Sequence, residues 1–304
     1  MSGIVITMMS LCLVTLAGFV ARKLGYITKE FSKRLSALVI DICCPCLIVS
    51  SVMGDTLPDK ELVLPLIGVS VLSYVIITLM ALLLTRMYVR DKEHRGIFSF
   101  MIIFGNVGFI GYPVCQAIFG NEAVFYAATL NLPNTIWVFT VGVMLIAGNA
   151  AGNNKFNWKV LFCPGCVAAY ISILIVALGI TGIPEWLCSP MTLIGNITVP
   201  ASLLIIGASI AEMPLRSMLG TREVYITSIL RMVLVPVLMF ALFTAIPCHP
   251  NVRNMNMIVL GMPVASYGTM LCLKYGKNVS LMAETTLITT IMSLFSIPLL
   301  TLLF

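Results

Sequence analysis

Charge is scarce in this sequence. Asp, Glu, Lys and Arg make up 10% of the 304 residues, and hydrophobic residues 60%. A soluble domain carries about 25% charged and about 45–50% apolar residues. A soluble globule is therefore excluded, and an integral membrane protein is implied. Histidine is almost missing. His94 and His249 fall in loops on opposite sides, which leaves no metal cluster, and no cofactor is called for. The absence of a nucleotide-binding glycine loop argues against ATP-driven transport by this chain alone. No basic stretch precedes the first apolar run, where the first charge is Arg22. That run reads as a retained span, not a cleaved signal. Trp137, Trp158 and Trp186 are too few to mark an interfacial belt.

What remains is apolar sequence in long runs. A window of about 19 residues separates ten segments: 3–21, 35–53, 62–85, 97–118, 123–147, 160–180, 189–210, 224–246, 256–273 and 280–303. Each can cross a hydrocarbon core of about 30 Å as a helix. The fold class is thus an all-α integral membrane protein of the cell (plasma) membrane, with the lipid bilayer as its surroundings. Arg22, Lys23, Lys29, Lys33, Arg34, Arg86, Arg90, Lys92, Arg95, Lys155, Lys159, Arg216, Arg222, Lys274 and Lys277 follow odd-numbered spans. Only Lys60 and Arg253 follow even ones. Positive-inside placement puts both termini outside. The net charge of +6 is then a topology signal, with no nucleic acid implied.

The two halves, 1–150 and 151–304, share a faint repeat. Asp41, Ile42 and Pro45 align with Asn196, Ile197 and Pro200, and Gly105 aligns with Gly261 at nearly the same offset. Five spans per half is an odd number, so the second half enters from the opposite side. This is an inverted-topology repeat, common in secondary transporters.

Helix breakers stand in the middle of span four, "GNVGFIGYP" at 105–113, and of span nine, "GMPVASYG" at 261–268. Gly costs a helix interior about 1 kcal/mol and Pro about 3. Both breaks fall near mid-membrane, about 14–15 Å from an end at 1.5 Å per residue. Unwound backbone is tolerated there only when buried in protein or lining a wet cavity. The expectation is two broken helices that cross, whose amide ends favour an anion. The candidate contacts are Gly105, Asn106, Gly108, Tyr112, Pro113, Met262, Pro263, Ser266 and Tyr267. Asn131 and Asn134 of span five either join them or make helix–helix hydrogen bonds.

Three charges lie inside the membrane. Asp41 is a candidate for proton coupling or for a structural ion pair. Arg231 must have a partner, either a substrate carboxylate or, as preferred, an ion pair with Asp41 or Glu284. Glu284 joins that network or reaches back to the cytoplasmic interface. Cys12, Cys43, Cys44, Cys46, Cys115 and Cys272 read as small hydrophobes. Cys163 and Cys166 form a CxxC without a redox-fold context. Cys188 and Cys248 share the outer side.

"GNVGFIGYPVCQAIFGNEA", "GMPVASYGTMLCLKYGKNVSLMAE", "PASLLIIGASIA" and "LRMVLVPVLMFAL" together resemble the auxin efflux carrier family, along essentially the whole chain. The short loop after span five is similar to prokaryotic-type members. The resemblance implies two inverted five-helix repeats of the kind shared with bile-acid symporters. It also implies crossing broken helices four and nine, separate scaffold and transport parts, an elevator-like movement and a homodimer. Family members carry organic anions such as carboxylates. The resulting expectation is a secondary active transporter that exports or exchanges small organic anions bound at the crossover, with Asp41 as the candidate for proton coupling. The alternatives are a sodium-coupled organic-anion symporter and a membrane-embedded sensor without transport. An enzyme is not expected, since no His and only one Asp lie within the membrane.

Overall fold

The computed structural model describes residues 2–54, 57–148, 161–212 and 220–304. Of the positions named above, Lys155, Trp158, Lys159 and Arg216 lie outside the described residues, as does the side chain of Cys12. In chain order the helices are α1 (Ser2–Lys23), α2 (29–50), α3 (Lys60–Tyr88), α4 (Arg95–Ile103), α5 (Val107–Phe119) and α6 (Glu122–Ala147). They continue as α7 (Pro164–Leu178), α8 (Glu185–Glu212), α9 (Arg222–Ala245), α10 (Pro250–Leu260), α11 (Tyr267–Lys274) and α12 (Val279–Leu303). No strand occurs among the described residues. The helices α3, α6, α8, α9 and α12 are each long and apolar enough to cross a membrane.

Helix ends follow local chemistry. α2 begins before the expected apolar segment because the Thr28 hydroxyl accepts from the Phe31 N–H at 3.1 Å and caps it. Prolines shape the interiors. A proline ring clashes with the carbonyl four residues back and leaves it without a donor. In α2, α5 and α9 the chain widens into a π turn just ahead of such a proline. The turns are Val39–Cys43 before Pro45, Val107–Gly111 before Pro113, and Leu230–Leu234 before Pro236. Asp41 and Arg231 both sit on these turns, where membrane helices often carry function.

The chain forms two compact units, and each draws on both halves of the sequence. The first comprises Met1–Leu66, Gly108–Leu132 and Leu161–Met213. Within it, α1 lies directly against the second half of α8. A Cβ on Gly18 would collide with the Leu204 backbone, and one on Gly207 with the Thr15 carbonyl. Small residues let membrane helices touch backbone to backbone. At the end of this pair Arg22 meets Glu212 at 3.1 Å, with both side chains about a quarter exposed. α2 packs similarly, with Leu47 against Gly195 and the Ile48 carbonyl accepting from the Ser172 hydroxyl at 3.2 Å.

The second unit comprises Ile67–Val107, Pro133–Val160 and Pro214–Phe304. Its core centres on α4, where Phe100, Met101, Ile102, Ile103 and Phe104 are all fully buried. The Phe104 ring stacks on Tyr74 at 6.4 Å and lies 4.7 Å from Phe100. Large apolar side chains such as Leu79, Leu83 and Phe295 face outward, as a lipid-facing surface requires.

Candidate functional site

Both expected breaks are present, and they meet inside the second unit. α4 stops at Ile103, and Phe104 turns extended. α10 stops at Leu260, followed by Gly261, Met262 and Pro263. Gly105 and Val264 then face each other as an isolated antiparallel bridge. The Asn106 N–H donates to the Pro263 carbonyl at 2.8 Å, and the Ala265 N–H to the Phe104 carbonyl at 3.0 Å. The Val264 N–H donates to the Thr289 hydroxyl of α12 at 3.1 Å. Beside the bridge, the Asn106 amide donates to the Ser266 hydroxyl at 3.2 Å. Helical turns resume at Val107 and at Tyr267.

Freed carbonyls at the two breaks need donors, because buried peptide groups are almost always paired. Arg231 supplies them. Its Nε donates to the Met262 carbonyl at 3.0 Å. Its Nη1 donates to the carbonyls of Ile102 at 3.0 Å and Ile103 at 3.1 Å. One fully buried guanidinium thus closes the carbonyl ends of both α4 and α10. Cations are favoured at helix C-termini because partial negative charge collects there. Gly105 is required at this spot, since a Cβ would collide with Nη2 and lie 3.2 Å from the Met262 carbonyl oxygen.

This corrects the expected partner of Arg231. Among the described residues no carboxylate lies within ion-pair distance of it. Asp41 and Arg231 belong to different units, and Asp41 is exposed. Glu284 shares the second unit with Arg231 and accepts instead from the Ser280 hydroxyl at 3.0 Å. The physical reason is that the carbonyls at two helix ends carry partial negative charge and accept charge-assisted bonds from the guanidinium.

The remaining candidates divide. Tyr267 is half exposed, and its ring meets Phe139 at 5.7 Å. Asn134 is buried in the same unit. Gly108, Tyr112, Pro113 and Asn131 lie in the first unit. There the Asn131 amide donates to the buried Tyr112 hydroxyl at 2.8 Å, and the Gly108 carbonyl accepts from the Cys44 thiol at 3.6 Å. Tyr112→Phe leaves that amide donor without this acceptor. The expected loss is about 1–2 kcal/mol of stability, read as a lower thermal midpoint. Cys163 and Cys166 start α7, as cap and third residue, and none of Cys163, Cys166, Cys188 and Cys248 forms a disulfide among the described residues.

Thr289 was not foreseen as part of the crossing. Its signal was present in the polar run "TTLITT" within an otherwise greasy span. Hydroxyls at that depth must find partners, and here one accepts from the bridge.

The sequence matches the family described as membrane transport protein over residues 3–301. It is 26% identical over 292 residues to an uncharacterized transporter of Methanocaldococcus jannaschii, with 94% of each chain covered. It is 23% identical over 300 residues to an uncharacterized transporter of Methanothermobacter thermautotrophicus, with 96% of each chain covered. The chain belongs to the membrane transport protein family, that of the auxin efflux carriers its two broken-helix motifs resemble.

Proposed function

We propose that this protein is a secondary transporter of small organic anions such as carboxylates, and that the anion binds at the crossing of the broken helices. The bridge carries the reading: two helices are interrupted where they meet, and Asn106 and Ser266 stand bonded beside the break. Peptide N–H groups at Val107 and Tyr267 begin new helical turns there. Helix starts attract negative charge. Asn106, Ser266 and Tyr267 supply side-chain donors, and Gly105, Met262 and Pro263 supply close backbone.

In this reading the chain crosses the membrane ten times as two inverted five-helix repeats, with both termini outside and α4–α5 and α10–α11 as spans four and nine. Alternating access is elevator-like, the protein works as a homodimer, and Asp41 on its π turn is the proton-coupling group.

Thermal-shift screening of carboxylates on the purified protein tests the site. Asn106→Ala keeps both main-chain bridge bonds and removes one side-chain donor. It is expected to weaken the best carboxylate about tenfold, roughly one hydrogen bond to a charged group, with little change in the unliganded midpoint. Unchanged binding removes Asn106 from the site. Counterflow of a labelled carboxylate in proteoliposomes separates a carrier from a sensor, which gives none. Uptake that survives sodium removal and stops when the pH gradient collapses supports proton coupling.

A further inference from the structure

We propose that Arg231 sets the sign of the charge at the crossing and so makes the site select anions over neutral and cationic solutes. This rests on the binding site proposed above. Four helix ends lie next to the bridge in sequence. α4 and α10 arrive with their carbonyl ends, and helical turns depart at Val107 and Tyr267 with their amide ends. Each end carries about half a charge, negative at the carbonyls and positive at the amides. Left alone, the four would nearly cancel, and a crossing of this kind would have no preference for either sign.

Arg231 breaks the balance. It brings a permanent full charge and spends three donor contacts on the carbonyl ends, at Ile102, Ile103 and Met262. Those oxygens, the natural ligands for a cation, are occupied. At the departing ends the N–H of Val107 bonds locally to the Gly105 carbonyl at 3.0 Å and that of Gly268 to Ala265 at 3.1 Å, so what these ends offer a solute is mainly the partial positive charge of the helix behind them. The remaining nitrogen, Nη2, is buried, has no hydrogen-bond partner among the described residues and lies against Gly105. That edge lies directly behind Gly105, one of the two bridge residues. The cation is therefore a fixed part of the site's wall and does not leave with the solute.

A purely structural arginine would hold the helix ends without influencing solute charge, so the test reads charge preference. Purified protein is titrated with a panel of carboxylates, among them benzoate and succinate, and with the corresponding amides. The wild-type chain is expected to prefer carboxylate over amide by about tenfold or more, the size of one good charge-assisted contact. Arg231→Lys keeps the charge and is expected to keep most of the preference. Arg231→Gln is expected to bring the two within about threefold while amide binding persists.

Gly105→Ala, whose methyl pushes the guanidinium off the bridge, is expected to reduce the preference without removing the charge, and it serves if the Gln variant does not fold. Retention of the full preference in a folded Gln variant, or in Gly105→Ala if Gln fails, overturns the role of Arg231 and leaves the site intact. Absence of any carboxylate preference in the wild-type chain overturns the proposed site itself.

Discussion

Arg231→Met is expected to destabilise the second unit by about 3 kcal/mol or more and to abolish transport. Methionine keeps an unbranched apolar stem but ends short of the carbonyls and donates nothing. Three carbonyls on two different helix ends would then be buried without these donors, each at about 1–3 kcal/mol. Relaxation recovers part of that sum, so the lower figure is the one to expect. A clear fall in thermal midpoint, with transport lost even below it, is the predicted result. A variant as stable as the wild type would mean that the carbonyls find other donors and that the clamp is dispensable.

The second large effect belongs to the first unit. Gly207→Val places a branched side chain where the Thr15 carbonyl already sits and where the Phe19 nitrogen lies 2.7 Å from the added Cβ. Both obstacles are backbone, so neither can swing aside. Overpacking typically costs about 1–3 kcal/mol, and a helix pair in contact along its backbone belongs at the upper end. The variant is expected to lose its monodisperse peak in size-exclusion chromatography. Gly68→Val is the control, because nothing lies within 4 Å of a Cβ there. It should purify normally.

The breaks were readable in the sequence because Gly and Pro act locally. "GNVGFIGYP" and "GMPVASYG" each announce an interruption, and their depth can be counted in residues. The π turns were readable by the same logic but went unread: Pro45, Pro113 and Pro236 each follow one, at the same spacing. The bridge between Gly105 and Val264 could be expected only as a meeting of helices, since strand-like pairing within a membrane helix leaves no pattern of its own. Arg231 shows the limit most clearly. Sequence gives its depth and its need for a partner. It does not give the neighbour, and a backbone carbonyl has no letter. Beside a substrate carboxylate, Asp41 and Glu284 were the candidates a residue-type reading offered, and the geometry gives Ile102, Ile103 and Met262.

The central claim is that the two broken helices pair through their unwound segments. Introducing cysteine at Asn106 and Ser266 tests it most directly, because the native side-chain tips are bonded at 3.2 Å, which places two thiols there within the span of a short bifunctional thiol reagent. Treatment with a short bismethanethiosulfonate cross-linker in native membranes, followed by peptide mapping, should yield a 106–266 cross-link in most molecules, slowed by a bound carboxylate. Failure of the pair to cross-link in folded protein, while both thiols remain open to alkylation, would contradict the crossing and the anion site built on it.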